Sequence, residues 1–174
     1  YKTKAAVLIS PGKIEILGYD MPKVGPKDLL LKVEMVGICG TDIHMVFSPK
    51  PFPEEEYVYP LILGHEIVGR IIETGSEART VDATGLPLKV GDRVAAMSSH
   101  ATHAIVNAEQ VVRVPESIGV EDACFHTIAA GVMNSVRLAK VSLGDSVVAV
   151  GLGLLGQMVI LFSRIAGAFP VVAV

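Results

Sequence analysis

A chain of 174 residues, 51% hydrophobic and 19% charged with no low-complexity tract, is long enough to bury a core and excludes a disordered protein. A net charge of −3 without a basic cluster argues against a nucleic-acid partner. The longest apolar stretch, Val147 to Leu161, is broken by glycines and Gln157, so neither a membrane span nor a signal peptide is expected.

The first two thirds read as β-rich. Lys4 to Ile9 and Ile14 to Leu17 are short strands around a Ser10-Pro11-Gly12 turn. After a Pro- and Gly-containing loop, Asp28 to Val36 is an apolar strand that runs into Gly37-Ile38-Cys39-Gly40-Thr41-Asp42-Ile43-His44. Two glycines bracket Cys39 there, which suggests a sharp turn presenting short side chains. Thr41 to Val46 is a candidate short helix, with Thr41 as its cap and Asp42 in its first turn. Phe47 to Pro60 is a proline-rich loop carrying Glu54-Glu55-Glu56, a solvated acidic face. Ile67 to Thr74 is the next strand, its alternation broken by Gly69. Residues 75 to 90 form a polar connection. Lys89 to Val94 turns into a strand, and Ala104 to Val106 and Val111 to Val114 are two more. Many short strands with frequent turns point to a barrel or sandwich.

Beyond Pro115 the pattern changes. Val120 to Ala139 is helical, in two pieces meeting near Thr127 to Gly131. Ser146 to Val150 is a continuous β-branched run of the kind found in parallel sheets. A helix to Ala166 and a strand over Pro170 to Val174 complete a βαβ unit. The chain begins at Tyr1 and stops inside that apolar strand, so a longer protein is expected, in which this piece alone is inactive. Of the two cysteines, Cys39 and Cys124, a single disulfide is available, but nothing indicates a disulfide scaffold. Cytoplasmic placement follows as the default.

Between the first βαβ strand and its helix stands Gly151-Leu152-Gly153-Leu154-Leu155-Gly156, a G-x-G-x-x-G in the context such a motif requires. The first glycine permits a tight turn, the second lets a pyrophosphate approach the backbone, and the third lets helix and strand pack closely. The helix start adds free N–H groups for the phosphates. This points to a dinucleotide. Possible metal ligands are Cys39, His44, His65, Glu66, His100, His103, Cys124 and His126. Cys39 and His65 each sit beside a glycine at a strand edge; they read either as two ligands of one zinc or as a buried thiol and a hydrogen-bonded histidine. His100 and His103 form an H-x-x-H that reads as a chance pair.

The opening octapeptide, then Gly64-His65-Glu66, then Val90-Gly91-Asp92-Arg93-Val94, then Val150 to Gly156, occur in one order that resembles the zinc-dependent alcohol dehydrogenase family of the medium-chain dehydrogenase/reductases. The resemblance implies a mixed α/β chain. A GroES-like β-rich catalytic domain would occupy residues 1–125, incomplete without its C-terminal return. The linking helix and the first βαβ unit of a truncated Rossmann domain would occupy residues 126–174. It implies that Cys39 and His65 bind a catalytic Zn2+, with Glu66 close to the metal. Thr41 would hydrogen-bond the substrate alcohol, Asp42 would orient a ligating histidine, and His44 would end a proton relay, a task that suits an imidazole near neutral pH. Counting back from Ala139-Lys140-Val141 under the family pattern puts a third ligand at His126, where Cys, Glu or Asp is commoner; Cys124 is the neighbouring alternative. The four-cysteine structural zinc lobe of many members is replaced here by Ala95-Ala96-Met97-Ser98-Ser99-His100.

The function implied is reversible hydride transfer between an alcohol or polyol and NAD(H) or NADP(H), the dinucleotide lying on Gly151, Leu152, Gly153, Leu154, Leu155 and Gly156. A small-molecule alcohol or carbonyl substrate is the expected partner, with no nucleic acid and no membrane, in a homodimer or homotetramer. A zinc-free quinone or enone reductase of the same superfamily, which has no use for Cys39 with His65, and a non-catalytic nucleotide-binding relative are the alternatives.

Overall fold

The computed structural model describes residues 1–48 and 58–174. Backbone contacts divide the chain into two units, Tyr1–Cys124 and Phe125–Val174. The expected acidic face at Glu54-Glu55-Glu56 lies outside the described residues. Among the described residues no helix is long and apolar enough to cross a membrane.

The first unit opens with a hairpin, β1 (Lys2–Ser10) and β2 (Lys13–Asp20), turned at Gly12 with φ +74. Pairing continues out to Lys2 against Asp20, so both strands outrun their apolar cores. β3 (Asp28–Val36) leads into α1 (Gly40–Phe47). Then come β4 (Leu61–Ile62), β5 (Ile67–Thr74), β6 (Arg93–Ala96), β7 (His103–Asn107), β8 (Val112–Arg113) and α2 (Val120–Ala123). The strands make two antiparallel sheets, ordered β2-β1-β4 and β7-β3-β5-β6-β8.

β3, paired on both sides by β7 and β5, is the strand that positions the site. Leu29, Leu30 and Leu31 are fully buried, each worth roughly 1.5–3 kcal/mol on transfer from water. Leu29, Leu31, Val33 and Val36 pack with Ile67, Ile71, Val94, Ala104 and Val111. Met35 instead joins Val68, Ala95, Val114, Ala123 and Cys124 in a second cluster. The step from Val33 to Val36 is odd because the ladder to β5 slips there: Val33 pairs with Gly69 and Met35 with Val68, leaving Glu34 as a bulge. Gly69 is needed at this point, since a Cβ would stand 2.6 Å from the Lys32 carbonyl oxygen. The bulged Glu34 carboxylate accepts from Arg70 Nε and Arg93 Nε, both at 2.8 Å.

α1 starts one residue earlier than expected, and Thr41 is not its cap. Cys39 is the N-cap, with extended φ −88 and ψ 157. Its backbone N–H donates to Asp42 Oδ2 at 2.9 Å, so the cap is set by the carboxylate in the first turn rather than by the hydroxyl.

The polar connection 75–90 is held by Asp82, which is inaccessible to solvent. Its Oδ1 accepts from the Thr84 N–H (2.8 Å), the Thr84 hydroxyl (2.8 Å) and the Leu86 N–H (2.9 Å), and its Oδ2 from the Arg113 N–H (2.8 Å). Burial alone would raise the carboxyl pKa. The Arg113 N–H, the Thr84 hydroxyl and the other donors more than offset it and bring it down to about 2.

The helical stretch after Pro115 breaks at Cys124–Phe125, earlier than the expected Thr127 to Gly131. Ala123 and Cys124 are committed to the second core cluster, and Phe125 leaves helical geometry at φ −77, ψ 2. Both cysteines are free thiols, so the available disulfide is not formed.

The second unit consists of α3 (His126–Leu138), β9 (Val147–Ala149), α4 (Leu154–Ile165) and β10 (Val171–Ala173). β9 and β10 are parallel, with Val147 opposite Val171. α4 packs on both strands and on α3. This is the βαβ unit expected from the alternation of β-branched and helical runs.

Candidate functional site

β3 and the β4–β5 connection deliver their ends to one place. The Gly37 N–H donates to the Glu66 carbonyl at 2.9 Å. A Cβ at Gly37 would collide with Glu66 Oε2 and stand 3.2 Å from Glu66 Cβ. Gly37 therefore serves close approach. Neither Gly37 nor Gly40 has a positive φ, and a Cβ at Gly40 would meet nothing among the described residues; the passage from β3 into α1 is made without the left-handed backbone that only glycine favours. The conformational demand falls instead on Gly64, at φ +102, just before His65.

The outcome is a cluster of three unlike donors. Cys39 Sγ, one His65 ring nitrogen and one Glu66 carboxylate oxygen lie within 4.8 Å of one another. Cys39 and His65 are half-buried and Glu66 is buried. His65 Nε2 is 3.9 Å from Glu66 Oε1. Bonds of about 2.0–2.3 Å to a single ion bring donors to roughly 3.5 Å apart, so side-chain shifts on the order of 1 Å would close this set on a metal. The mixture of thiol, imidazole and carboxylate suits zinc better than a hard cation, which prefers all-oxygen ligands.

On the far side of His65, Nδ1 faces Asp42 Oδ1 at 4.0 Å. Asp42 is buried, and among the described residues this Oδ1 has no hydrogen-bond partner. Its other oxygen is engaged twice, by the Cys39 N–H and by His100 Nε2 at 3.1 Å. His100 and His103 of the H-x-x-H do not act as a pair. His103 sits on β7 with its Nδ1 3.2 Å from the Thr102 hydroxyl, while His100 turns inward to Asp42.

Thr41 lies in the first turn of α1, exposed, with its hydroxyl oxygen 3.8 Å from Cys39 Sγ. His44 follows three residues later and is also exposed. Cys124 is buried; desolvation, with the nearby Glu66 and Glu121 carboxylates, raises its thiol pKa. His126 is the first residue of α3 in the second unit, its Nε2 2.9 Å from the Thr127 hydroxyl.

The glycine loop of the second unit shows three different demands. Gly151 has φ +93 and donates its N–H to the Val174 carbonyl at 2.7 Å. Gly153 is the N-cap of α4, and a Cβ there would meet nothing within 4 Å, leaving its surface open. Gly156 faces the Gly151 carbonyl so closely that a Cβ would collide with its oxygen. The loop and the unpaired first-turn N–H groups of α4 form a cradle suited to an anion.

The chain is similar to several known dehydrogenases. Sorbitol dehydrogenase of Mus musculus is 28% identical over 191 residues, covering 95% of this chain and 53% of that protein. The structure of 2R,3R-butanediol dehydrogenase from Bacillus subtilis superimposes with a TM-score of 0.81 at 26% identity, covering 98% of this chain and 57% of that one. A zinc-binding dehydrogenase of Sinorhizobium meliloti bound to NADP gives 0.83 at 26%, over 99% of this chain and 56% of that one. The chain thus spans about half the length of the curated relatives it matches. Its residues 25–142 match the alcohol dehydrogenase GroES-like domain, and the chain belongs to that family.

Proposed function

We propose that this chain carries the metal-binding and nucleotide-binding elements of a zinc- and NAD(P)-dependent oxidoreductase that interconverts alcohols or polyols with their carbonyl forms. The observation that carries the reading is the cluster of Cys39, His65 and Glu66 in a GroES-like domain. The related polyol and diol dehydrogenases support the substrate class.

In this reading Cys39 and His65 hold the metal, with Glu66 beside it, and the sequence resemblance adds His126 as a further imidazole ligand. When bound, the metal supplies a Lewis acid for the alcohol or carbonyl oxygen, and the nicotinamide takes or gives the hydride. Asp42 Oδ1, 4.0 Å from His65 Nδ1, would accept that N–H once the side chains close on the metal, which leaves the Nε2 lone pair for the ion. The Thr41 hydroxyl, next to Cys39, orients the substrate hydroxyl and carries its proton at Oγ1. His44, one helical turn on and in contact with solvent, takes that proton outward. The loop Gly151 to Gly156, including Leu152, Leu154 and Leu155, holds the dinucleotide phosphates. Residues up to about 125 serve as the catalytic domain, and those from 126 as linker and nucleotide-binding domain. Action in the cytoplasm as a homodimer or homotetramer completes the proposal.

Metal analysis of the full-length protein tests it. About one catalytic zinc per chain is expected, and Cys39→Ser should lose both that metal and turnover on a panel of alcohols and polyols. A metal-free enzyme, or a Cys39→Ser variant with unchanged turnover, refutes the assignment.

A further inference from the structure

We infer that His100 is a positioning residue for the metal cluster, acting through Asp42 on His65. The inference rests on the metal-site reading above and adds to it a residue from a different part of the chain.

His100 is held at a three-way junction. Its backbone N–H donates to the Leu63 carbonyl at 2.7 Å, and its carbonyl accepts from the Ala6 N–H at 2.9 Å. Its ring lies over Gly64: a Cβ on Gly64 would stand 2.6 Å from His100 Cγ and 2.7 Å from Nδ1. The glycine beside His65 is thus the space that His100 occupies. From this clamp the ring reaches the first turn of α1, where Nε2 meets Asp42 Oδ2 at 3.1 Å.

The chemistry fixes the direction of that bond. A carboxylate only accepts, and its Oδ2 already accepts from Cys39 N–H. The proton therefore sits on His100 Nε2. Nδ1, buried against Gly64 without a partner among the described residues, is then a bare lone pair, which is cheaper to bury than an unpaired N–H donor. With Oδ2 occupied twice, the Asp42 carboxylate cannot rotate freely, and Oδ1 stays turned toward His65 Nδ1 at 4.0 Å. A chain His100–Asp42–His65 results, in which the last ring must present Nε2 to Cys39 and Glu66. Without the His100 donor, Asp42 keeps only the cap bond, and its Oδ1 is no longer directed at His65.

Two substitutions separate this role from simple packing. His100→Phe keeps the ring volume and removes the donor; His100→Gln keeps a donor near the Nε2 position. In full-length protein loaded with Co2+, His100→Phe is expected to weaken metal binding roughly 10- to 100-fold in chelator competition and to shift the d–d absorption bands. His100→Gln should stay within about threefold of the wild type. Wild-type affinity and spectrum in His100→Phe, or equal impairment in both variants, overturns the role. Nitrogen-15 shifts of the wild-type histidines give a test that needs no variant: His100 should be the Nε2–H tautomer, and an Nδ1–H tautomer overturns the role. Cys39→Ser is the separate control. If it binds cobalt as tightly as the wild type, the metal-site reading fails and takes this role with it.

Discussion

Replacing Asp82 by Asn tests the electrostatic anchor of the scaffold in numbers. The carboxylate meets four donors, three on Oδ1 and one on Oδ2, with no solvent contact. Asn is nearly isosteric but turns one oxygen into a donor. Either the Arg113 N–H or the three donors from Thr84 and Leu86 then face an N–H. The lowering from 3.8 to about 2 corresponds to about 2 kcal/mol at about 1.36 kcal/mol per pKa unit. Native-state amide exchange at Thr84, Leu86 and Arg113 reads this locally. Protection at these amides should fall roughly 30-fold in Asp82→Asn at pH 6, since about 1.4 kcal/mol is tenfold. The pH dependence has a definite sign. A lowered carboxyl stabilises the fold fully above its unfolded value near 3.8 and loses that contribution as pH falls through about 2. Unfolding free energies of variant and wild type should therefore differ by a constant amount from pH 7 to about 4 and converge toward pH 2. Protection within twofold of the wild type at pH 6, or a difference that persists undiminished at pH 2, would show that the anchor carries no such energy.

The glycine loop and the buried thiol give two further expectations. Gly153→Ala should leave thermal stability unchanged, because its Cβ would meet nothing, yet weaken NAD(P)H binding by tenfold or more in a fluorescence titration, on the order expected from blocking phosphate approach. Gly156→Ala should lower the melting temperature as well, because its Cβ meets backbone rather than a side chain that can move; the reverse pattern would remove the case for a phosphate cradle. Cys124, buried and with its thiol pKa raised, should resist iodoacetamide in the native protein at pH 7.5 and react only on unfolding. Fast native alkylation at Cys124 would contradict that burial.

The parts of the fold written in local hydropathy were legible in the sequence. Asp28–Val36 and Ile67–Thr74 were bounded as they stand, because both are apolar runs closed by polar or glycine-rich turns. The βαβ unit was equally plain, since its loop glycines stand between β-branched and helical runs. The extended hairpin was not, because the outer half of β2 is solvent-facing and polar. The α1 cap was misread because a carboxylate three residues ahead of Cys39 took the role expected of Thr41. Grouping Cys39 with His65 depended on the family resemblance, as spacing alone left two readings open. His100 was set aside because its partner lies 58 positions away and no periodicity reports a contact of that kind. Its trace in the sequence is Gly64, a residue that reads as a turn signal until the ring above it is seen.

The bulge at Glu34 has a consequence for how such a site tolerates insertions and deletions. Deleting Glu34 would close the slip between Val33 and Met35 and leave the one between Leu30 and Leu31. Leu29, Leu31, Val33 and Val36 would all keep their inward side and Met35 its outward one. The fold would lose little beyond the anchor for Arg70 and Arg93. The pairs beyond the bulge, Met35 with Val68 and Val36 with Ile67, would stand as before, and the Gly37 N–H would still meet the Glu66 carbonyl, so Cys39 would keep its place beside His65 and Glu66. The extra residue thus serves the arginines rather than the metal cluster: it sets one carboxylate between Arg70 and Arg93 and leaves both packing faces of the strand alone.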